Sequence, residues 1–140
     1  MEILNRDARY NYFILEELEA GIALVGTEIK SIKKGSANLK DSFIIIKNNE
    51  AFMINSYVAL YSYGNQFNHD ERRTRKLLLH KKEIKKLSLR VKTEGLTLVP
   101  LKIYFKNGKA KVLIGVCKGK KNYDKRESIK ERDLKRANNI

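Results

Sequence analysis

Apolar residues in this chain fall in short runs separated by turn-forming residues, the pattern of a mainly β protein. Tyr10-Asn11-Tyr12-Phe13-Ile14-Leu15 and Ile22-Ala23-Leu24-Val25 are two such runs. Phe43-Ile44-Ile45-Ile46 and Ala51-Phe52-Met53-Ile54 flank Lys47-Asn48-Asn49-Glu50, whose turn chemistry predicts a hairpin. A second hairpin is clearer: Lys102-Ile103-Tyr104-Phe105 and Ala110-Lys111-Val112-Leu113-Ile114 flank Asn107-Gly108, which supplies the two positive φ angles of a type I′ turn. Two helices interrupt the strands. Thr27 is placed to cap one that has Ile29 and Ile32 on a single face, with Gly35 ending it. His80, Ile84, Leu87 and Val91 recur at helical spacing, so Lys81, Lys82, Lys85 and Lys86 line the opposite face of the second.

Five to seven short strands with few helices in so small a chain predict a closed or nearly closed barrel. The expected class is mainly β, a small barrel of the oligonucleotide-binding (OB) type with two or three short helices; an SH3-like barrel or a small sandwich are the alternatives. The apolar pattern stops after Val116, which divides the chain into a barrel over 1–117 and a basic tail over 118–140. The tail is too polar to fold by itself and reads as disordered when free, becoming helical on a partner. Ser128 and Glu131 resemble a capping box, and Glu131 with Lys135 makes a favourable i,i+4 pair.

Charge sharpens the picture. Residues 72–92 hold ten Lys/Arg against Glu83 alone, and residues 116–140 hold nine against four acids; elsewhere eleven of each cancel, so these two windows carry the whole net charge of +14. A single basic run is usually a solvated face. Two runs over a neutral remainder point to a polyanion met on two surfaces. An acidic membrane surface fits poorly, because the tail has no broad apolar face, and no apolar run approaches the length of a membrane span. Seven tyrosines, Tyr10, Tyr12, Tyr57, Tyr61, Tyr63, Tyr104 and Tyr123, offer stacking surfaces for unpaired bases. Tyr12 and Tyr104 sit inside strand patterns and are assigned to the core. The N-terminus lacks a signal pattern and Cys117 is the single cysteine, so the chain reads as cytoplasmic.

The catalytic inventory is empty: no Gly-rich phosphate loop, no Ser/His/Asp order, no HExxH, and no metal-ligand spacing around His69 or His80. Glu16, Glu17, Glu19 and Glu28 make an acidic cluster in a basic protein. A metal-dependent RNA-cleaving enzyme using Glu19 and Glu28 is therefore a rival. A carboxylate that accepts from base amino groups is the reading that suits a specific binder.

Several motifs in order carry a family resemblance. They are Ala8-Arg9-Tyr10-Asn11-Tyr12-Phe13-Ile14, Glu19-Ala20-Gly21-Ile22-Ala23-Leu24, Gly26-Thr27-Glu28-Ile29-Lys30-Ser31, Gly35-Ser36-Ala37-Asn38 with Asp41-Ser42, Arg75-Lys76-Leu77-Leu78-Leu79-His80, and Lys111-Val112-Leu113-Ile114-Gly115-Val116 leading to Gly119-Lys120-Lys121 and Tyr123-Asp124-Lys125-Arg126. From about Asn5 to Arg136 the chain resembles the SsrA-binding proteins (small protein B, SmpB), bacterial partners of transfer-messenger RNA. The resemblance implies an OB barrel that binds the tRNA-like domain of that RNA. It implies a role in trans-translation, the rescue of stalled ribosomes, with the tail entering the vacant decoding centre and messenger channel. Partners implied are transfer-messenger RNA, the 16S rRNA of the small subunit and, through the RNA, elongation factor Tu; no cofactor, metal, membrane or obligate oligomer is implied, and the chain is expected to be a monomer.

Residue by residue, the resemblance assigns Glu19, Leu78 or Leu79, and Lys111 to holding the tRNA-like domain, with Lys76 in the same segment. Glu28, Lys30, Ser31 and Asn38 match the neighbouring polar surface. Lys118, Lys120 and Lys121 stand at the junction and are expected to meet phosphates. Tyr123, Asp124, Lys125 and Arg126 match the motif that reports an empty decoding site, with Ile129, Lys130 and Leu134 on the tail helix. The tail stops at Asn138-Asn139-Ile140, where many relatives continue, and Cys117 replaces a commoner small residue. The first rival is a generic OB-fold ribosome-associated RNA binder without preference for transfer-messenger RNA.

Overall fold

Two Asn-led reversals build the long hairpins. Asn48 and Asn49, with φ of 52° and 60°, join β4 (Phe43–Lys47) to β5 (Glu50–Ile54), and Asn107 and Gly108, with φ of 52° and 74°, join β8 (Thr97–Lys106) to β9 (Lys109–Gly119). Positive φ at both central residues matches the twist of the flanking strands. A computed structural model describes residues 2–62, 68–127 and 129. The remaining elements are β1 (Ile3–Leu4), α1 (Ala8–Asn11), β2 (Tyr12–Ile22), α2 (Gly26–Lys33), β3 (Ala37–Asn38), β6 (Tyr57–Val58), β7 (Arg75–Leu78) and α3 (Lys81–Glu94).

Strands β8, β4, β5, β7, β2 and β9 are hydrogen-bonded in that order, and β9 returns to β8, so six antiparallel strands close a ring. Closure removes the free edges of a sheet. One side of β8 is shared, with β4 at Ile44↔Leu98 and β1 at Ile3↔Ile103. A separate ribbon pairs β3 with β6. The expected small, mainly β barrel is what the chain forms.

Val112, Ile114 and Val116 alternate into the barrel interior, where they meet Ala20, Ile22, Met53, Leu77 and Ile103. Ile84 and Leu87 are buried and Val91 packs on the same core, so α3 lies with its lysines outward, as its periodicity predicts. The N–H of His80 donates to the Glu83 carboxylate at 3.2 Å, and Gly95 at φ 64° ends the helix. A second cluster lies on the outer face of the sheet, where Ala8 of α1 packs with Val99, Leu101 and Cys117. Gly115 makes that packing possible, since a Cβ there would stand 3.0 Å from both Leu101 and Cys117 Sγ.

Four expectations change. The first two apolar runs belong to one long strand, β2, with a bulge at Leu15; Tyr10 and Asn11 fall in α1, and Ala23–Val25 leaves the sheet. Val25, not Thr27, precedes α2: its N–H donates to Glu28 at 2.9 Å, while the Thr27 hydroxyl bonds Nδ1 of His69 at 2.8 Å. Tyr104 lies on the outer face rather than in the core. The start of the tail is structured, with β9 running to Gly119 and residues 122–127 helical. Tyr63, the Ser128/Glu131 cap, the Glu131/Lys135 pair, Lys130 and Leu134 lie outside the described residues.

Candidate nucleic-acid interface

Strands β7, β2, β9 and β8 run side by side, and their register sets Leu78 opposite Gly21, Gly21 opposite Lys111, and Lys111 opposite Tyr104. Opposed residues share a face, so these four form one row across the outside of the barrel. Glu19 is two residues from Gly21 and on the same face. Three segments far apart in sequence thus bring Glu19, Leu78 and Lys111 together. Gly21 keeps the row low, because a Cβ there would come within 3.2 Å of the Leu78 side chain. Of the two leucine candidates, Leu78 is 55% exposed and Leu79 packs against the core. Lys76 is exposed on the face of Leu78 and lies 3.4 Å from Glu50, a surface pair of little energetic weight.

The Tyr104 hydroxyl donates a hydrogen bond to Oε2 of Glu19, and Lys106 Nζ stands 3.8 Å from the same oxygen. The hydrogen bond from Tyr104 holds the Glu19 carboxyl below its ordinary range; partial desolvation opposes this, and the Lys106 and Lys111 charges reinforce it. Burial, with the bond to Glu19, pushes the Tyr104 phenol up to about 12. At neutral pH the pair is a neutral donor and an oriented anionic acceptor. Such a carboxylate accepts from base amino groups, and the lysines beside it suit phosphate.

The neighbouring polar set divides. Lys30 is exposed, its Nζ 5.2 Å from the centre of the Tyr61 ring, which Lys34 also covers at 5.0 Å. Asn38 is exposed on the rim of a depression of about 380 Å³ that it shares with Lys40, Asp41, Asn55, Tyr57 and Arg72. Glu28 and Ser31, by contrast, are fully buried and belong to no surface. Glu28 accepts from Arg73 at 2.6 Å, from Arg75 at 2.5 Å and from the Val25 N–H, and Arg75 also donates to Ser56. Burial drives the Glu28 carboxyl up, but the Arg73 and Val25 hydrogen bonds and the Arg75 charge outweigh it and hold it low. Both its oxygens are committed to N–H donors, which removes Glu28 from any metal-ligating role. Among the described residues no group of three or more His, Cys, Asp or Glu gathers as a metal site.

The second surface lies at the other end of β9. Lys111 and Gly119 are eight residues apart on that strand, roughly 26 Å. There Lys118 sits opposite Phe13, and Lys120 donates to the Arg9 carbonyl at 2.9 Å with its Nζ 4.9 Å from the Phe13 ring centre. The Lys121 N–H donates to the Asp124 carboxylate at 3.1 Å, which opens the helical turn at 122–127. Lys125 reaches over Tyr10 at 5.9 Å, Arg126 is exposed, Tyr123 is 63% exposed, and Ile129 is also at the surface.

A closed barrel with an anionic acceptor set among cations on one face and a cation-rich strand end on the other is a basic β-barrel protein built to meet a polyanion. The family profile described as SmpB protein matches residues 2–139. SsrA-binding proteins of Ligilactobacillus salivarius and Shouchella clausii are 60% and 58% identical over 132 residues, covering 94% of this chain and 85% of theirs. That of Sulfurihydrogenibium is 57% identical over 94% of this chain and 87% of its own length. A chain from the solved structure "tmRNA-SmpB: a journey to the center of the bacterial ribosome" superposes with a TM-score of 0.73 at 48% identity, covering 91% of this chain and 94% of that one. The chain belongs to the SmpB protein family. No helix among the described residues is long and apolar enough to cross a membrane.

Proposed function

We propose that this chain is a non-catalytic RNA-binding protein of trans-translation. Its barrel, residues 1–117, holds the tRNA-like domain of transfer-messenger RNA and brings it to stalled ribosomes. Residues 118–140 act as a separate module that meets 16S rRNA at the empty decoding centre and message channel, with elongation factor Tu joining through the RNA. The observation that carries the reading is the row Leu78–Gly21–Lys111–Tyr104 with Glu19 beside it, where residues implicated separately by resemblance converge on one exposed face. Glu19, Leu78 and Lys111 read the RNA; Lys76, Lys30 and Asn38 extend the contact. Lys118, Lys120 and Lys121 meet phosphates at the junction, and Tyr123, Asp124, Lys125, Arg126, Ile129 and Lys130 address the decoding centre. Glu28 is buried against Arg73 and Arg75 and Ser31 is buried too, so neither takes part in the RNA contact.

Competition between the isolated tRNA-like domain and ordinary tRNA across a salt series tests the barrel's role. Phosphate contacts weaken together with salt, log K falling by about 0.9 per neutralised phosphate for each tenfold rise in salt on a duplex. An advantage for the tRNA-like domain that persists at physiological salt supports the reading, and two RNAs that fade together support a generic binder instead. Replacing Asp124, Lys125 and Arg126 by alanine should leave that affinity intact and abolish peptide tagging on stalled ribosomes. A large loss of affinity would show that the tail is no separate module.

A further inference from the structure

Helix α3 carries cations that the interface above does not use. Lys81, Lys82, Lys85, Lys86 and Lys92 are all exposed, and among the described residues no acidic side chain lies within ion-pair distance of any of them. The acids of the helix are occupied elsewhere: Glu83 accepts from the His80 N–H, and Glu94 is held at 3.0 Å by Arg90, which also reaches Glu16. Among the described residues these lysines therefore stand outside any ion pair, and the acid nearest the start of the face, Glu50, is the partner of Lys76. Leu89, 64% exposed, sits within it.

The placement of the helix gives that face a direction. α3 leaves the sheet just after Leu78, at the Gly21/Lys111 end of the barrel, and rejoins it just before Thr97, which is opposite Cys117 near the other end. Fourteen helical residues span roughly 21 Å, and the six strand residues from Lys111 to Cys117 span roughly 20 Å. The helix thus runs the length of the gap between the two candidate surfaces. At its start, Lys81 lines one depression of about 350 Å³ with Lys76, Leu78 and His80, so the lysine face is continuous with the barrel row.

We propose that the exposed face of α3 is a phosphate-tracking surface for transfer-messenger RNA, continuing the barrel contact toward the tail. Side chains this regular and flexible read no base; they neutralise successive phosphates and fix the angle at which the RNA leaves the barrel. This rests on the function proposed above, and continuity with the Leu78 row is what favours transfer-messenger RNA over ribosomal RNA.

The test is a variant carrying Lys81→Gln, Lys82→Gln, Lys85→Gln and Lys86→Gln, which keeps good helix formers at exposed positions outside any ion pair. Its thermal melt establishes that the fold is retained, and a Lys85→Gln, Lys86→Gln pair serves if the fourfold variant melts early. The log–log salt slope of binding to full-length transfer-messenger RNA should fall by roughly two to four units, near 0.9 for each phosphate the variant leaves unneutralised. The preference for the tRNA-like domain over ordinary tRNA should persist. An unchanged slope overturns the proposal and leaves α3 a solvated face. An unchanged slope with weaker association to ribosomes also overturns it, assigning the surface to rRNA. Wild-type protein that shows no preference for the tRNA-like domain would instead sink the functional reading on which the proposal stands.

Discussion

Glu28→Gln separates an RNA-facing role for this acid from a structural one. If Glu28 were part of an RNA-facing surface, the amide would weaken RNA binding and leave stability alone. The structure makes the opposite demand. Arg75 is fully buried, and the Glu28 carboxylate is the counter-charge at 2.5 Å; its other guanidinium contacts, Ser56 and the carbonyls of Asp70 and Glu71, are neutral. Arg73 is 37% exposed and can turn to water, but Arg75 cannot. Removing one partner of a buried pair costs about 3–5 kcal/mol because a charge is left uncompensated, a large part of the roughly 5–15 kcal/mol that a domain has. Urea unfolding followed by circular dichroism should show this loss as a lower midpoint. The affinity of the folded fraction for the tRNA-like domain should stay near wild type. The pH dependence has a definite sign. The folded-state pKa lies below the ordinary carboxyl value of 4.5, so the contribution is complete above that value and disappears as pH falls through the folded pKa. Wild type should therefore show an acid-side loss of stability that Glu28→Gln has already forfeited. A variant with an unchanged urea midpoint and severalfold weaker RNA binding would refute the argument.

Two smaller tests address the outer face and the second cluster. Tyr104→Phe removes the hydrogen bond that orients Glu19 and should weaken tRNA-like domain binding by about two- to tenfold, the worth of one hydrogen bond; on a Glu19→Gln background it should add nothing, and an equal loss there would mean the phenol acts independently of Glu19. Cys117 is buried with its thiol pushed up to about 11 by desolvation, so alkylation by iodoacetamide at about pH 8 should track global unfolding, and rapid labelling of native protein would show that α1 does not seal the site.

What the sequence disclosed and what it hid have separate physical causes. The Asn48–Asn49 and Asn107–Gly108 turns were legible because the signal is local, a positive φ at two adjacent residues. The burial of Ile84, Leu87 and Val91 was legible because one helix face repeats. The fate of Glu28 was not, since its partners Arg73 and Arg75 are 45 and 47 positions away and nothing near Glu28 announces them. Tyr104 departs from the expected core position for a subtler reason. Leu98 points into the barrel, and strict alternation would send Tyr104 the same way, but the register shifts between Pro100 and Lys102, so Ile103 turns inward and Tyr104 outward. A single extra residue reverses every later side chain.

The same shift occurs in β2, between Ile14 and Glu16: Tyr12 and Ile14 pack on the outer cluster, while Leu18, Ala20 and Ile22 point inward. Through these two bulges, the long strands serve two faces. At one end their outer side chains are apolar and take α1 as a cover; at the other they present Glu19, Lys111 and Tyr104 to solvent. The tail leaves from the covered end and the candidate RNA row occupies the open one, with β9 crossing between them as a central strand paired on both sides. A strand held on both sides has little freedom to bend, so the separation between the two surfaces is fixed by the barrel itself. That rigidity is what a protein needs if RNA held at one end is to be presented at a set distance from a site sensed at the other.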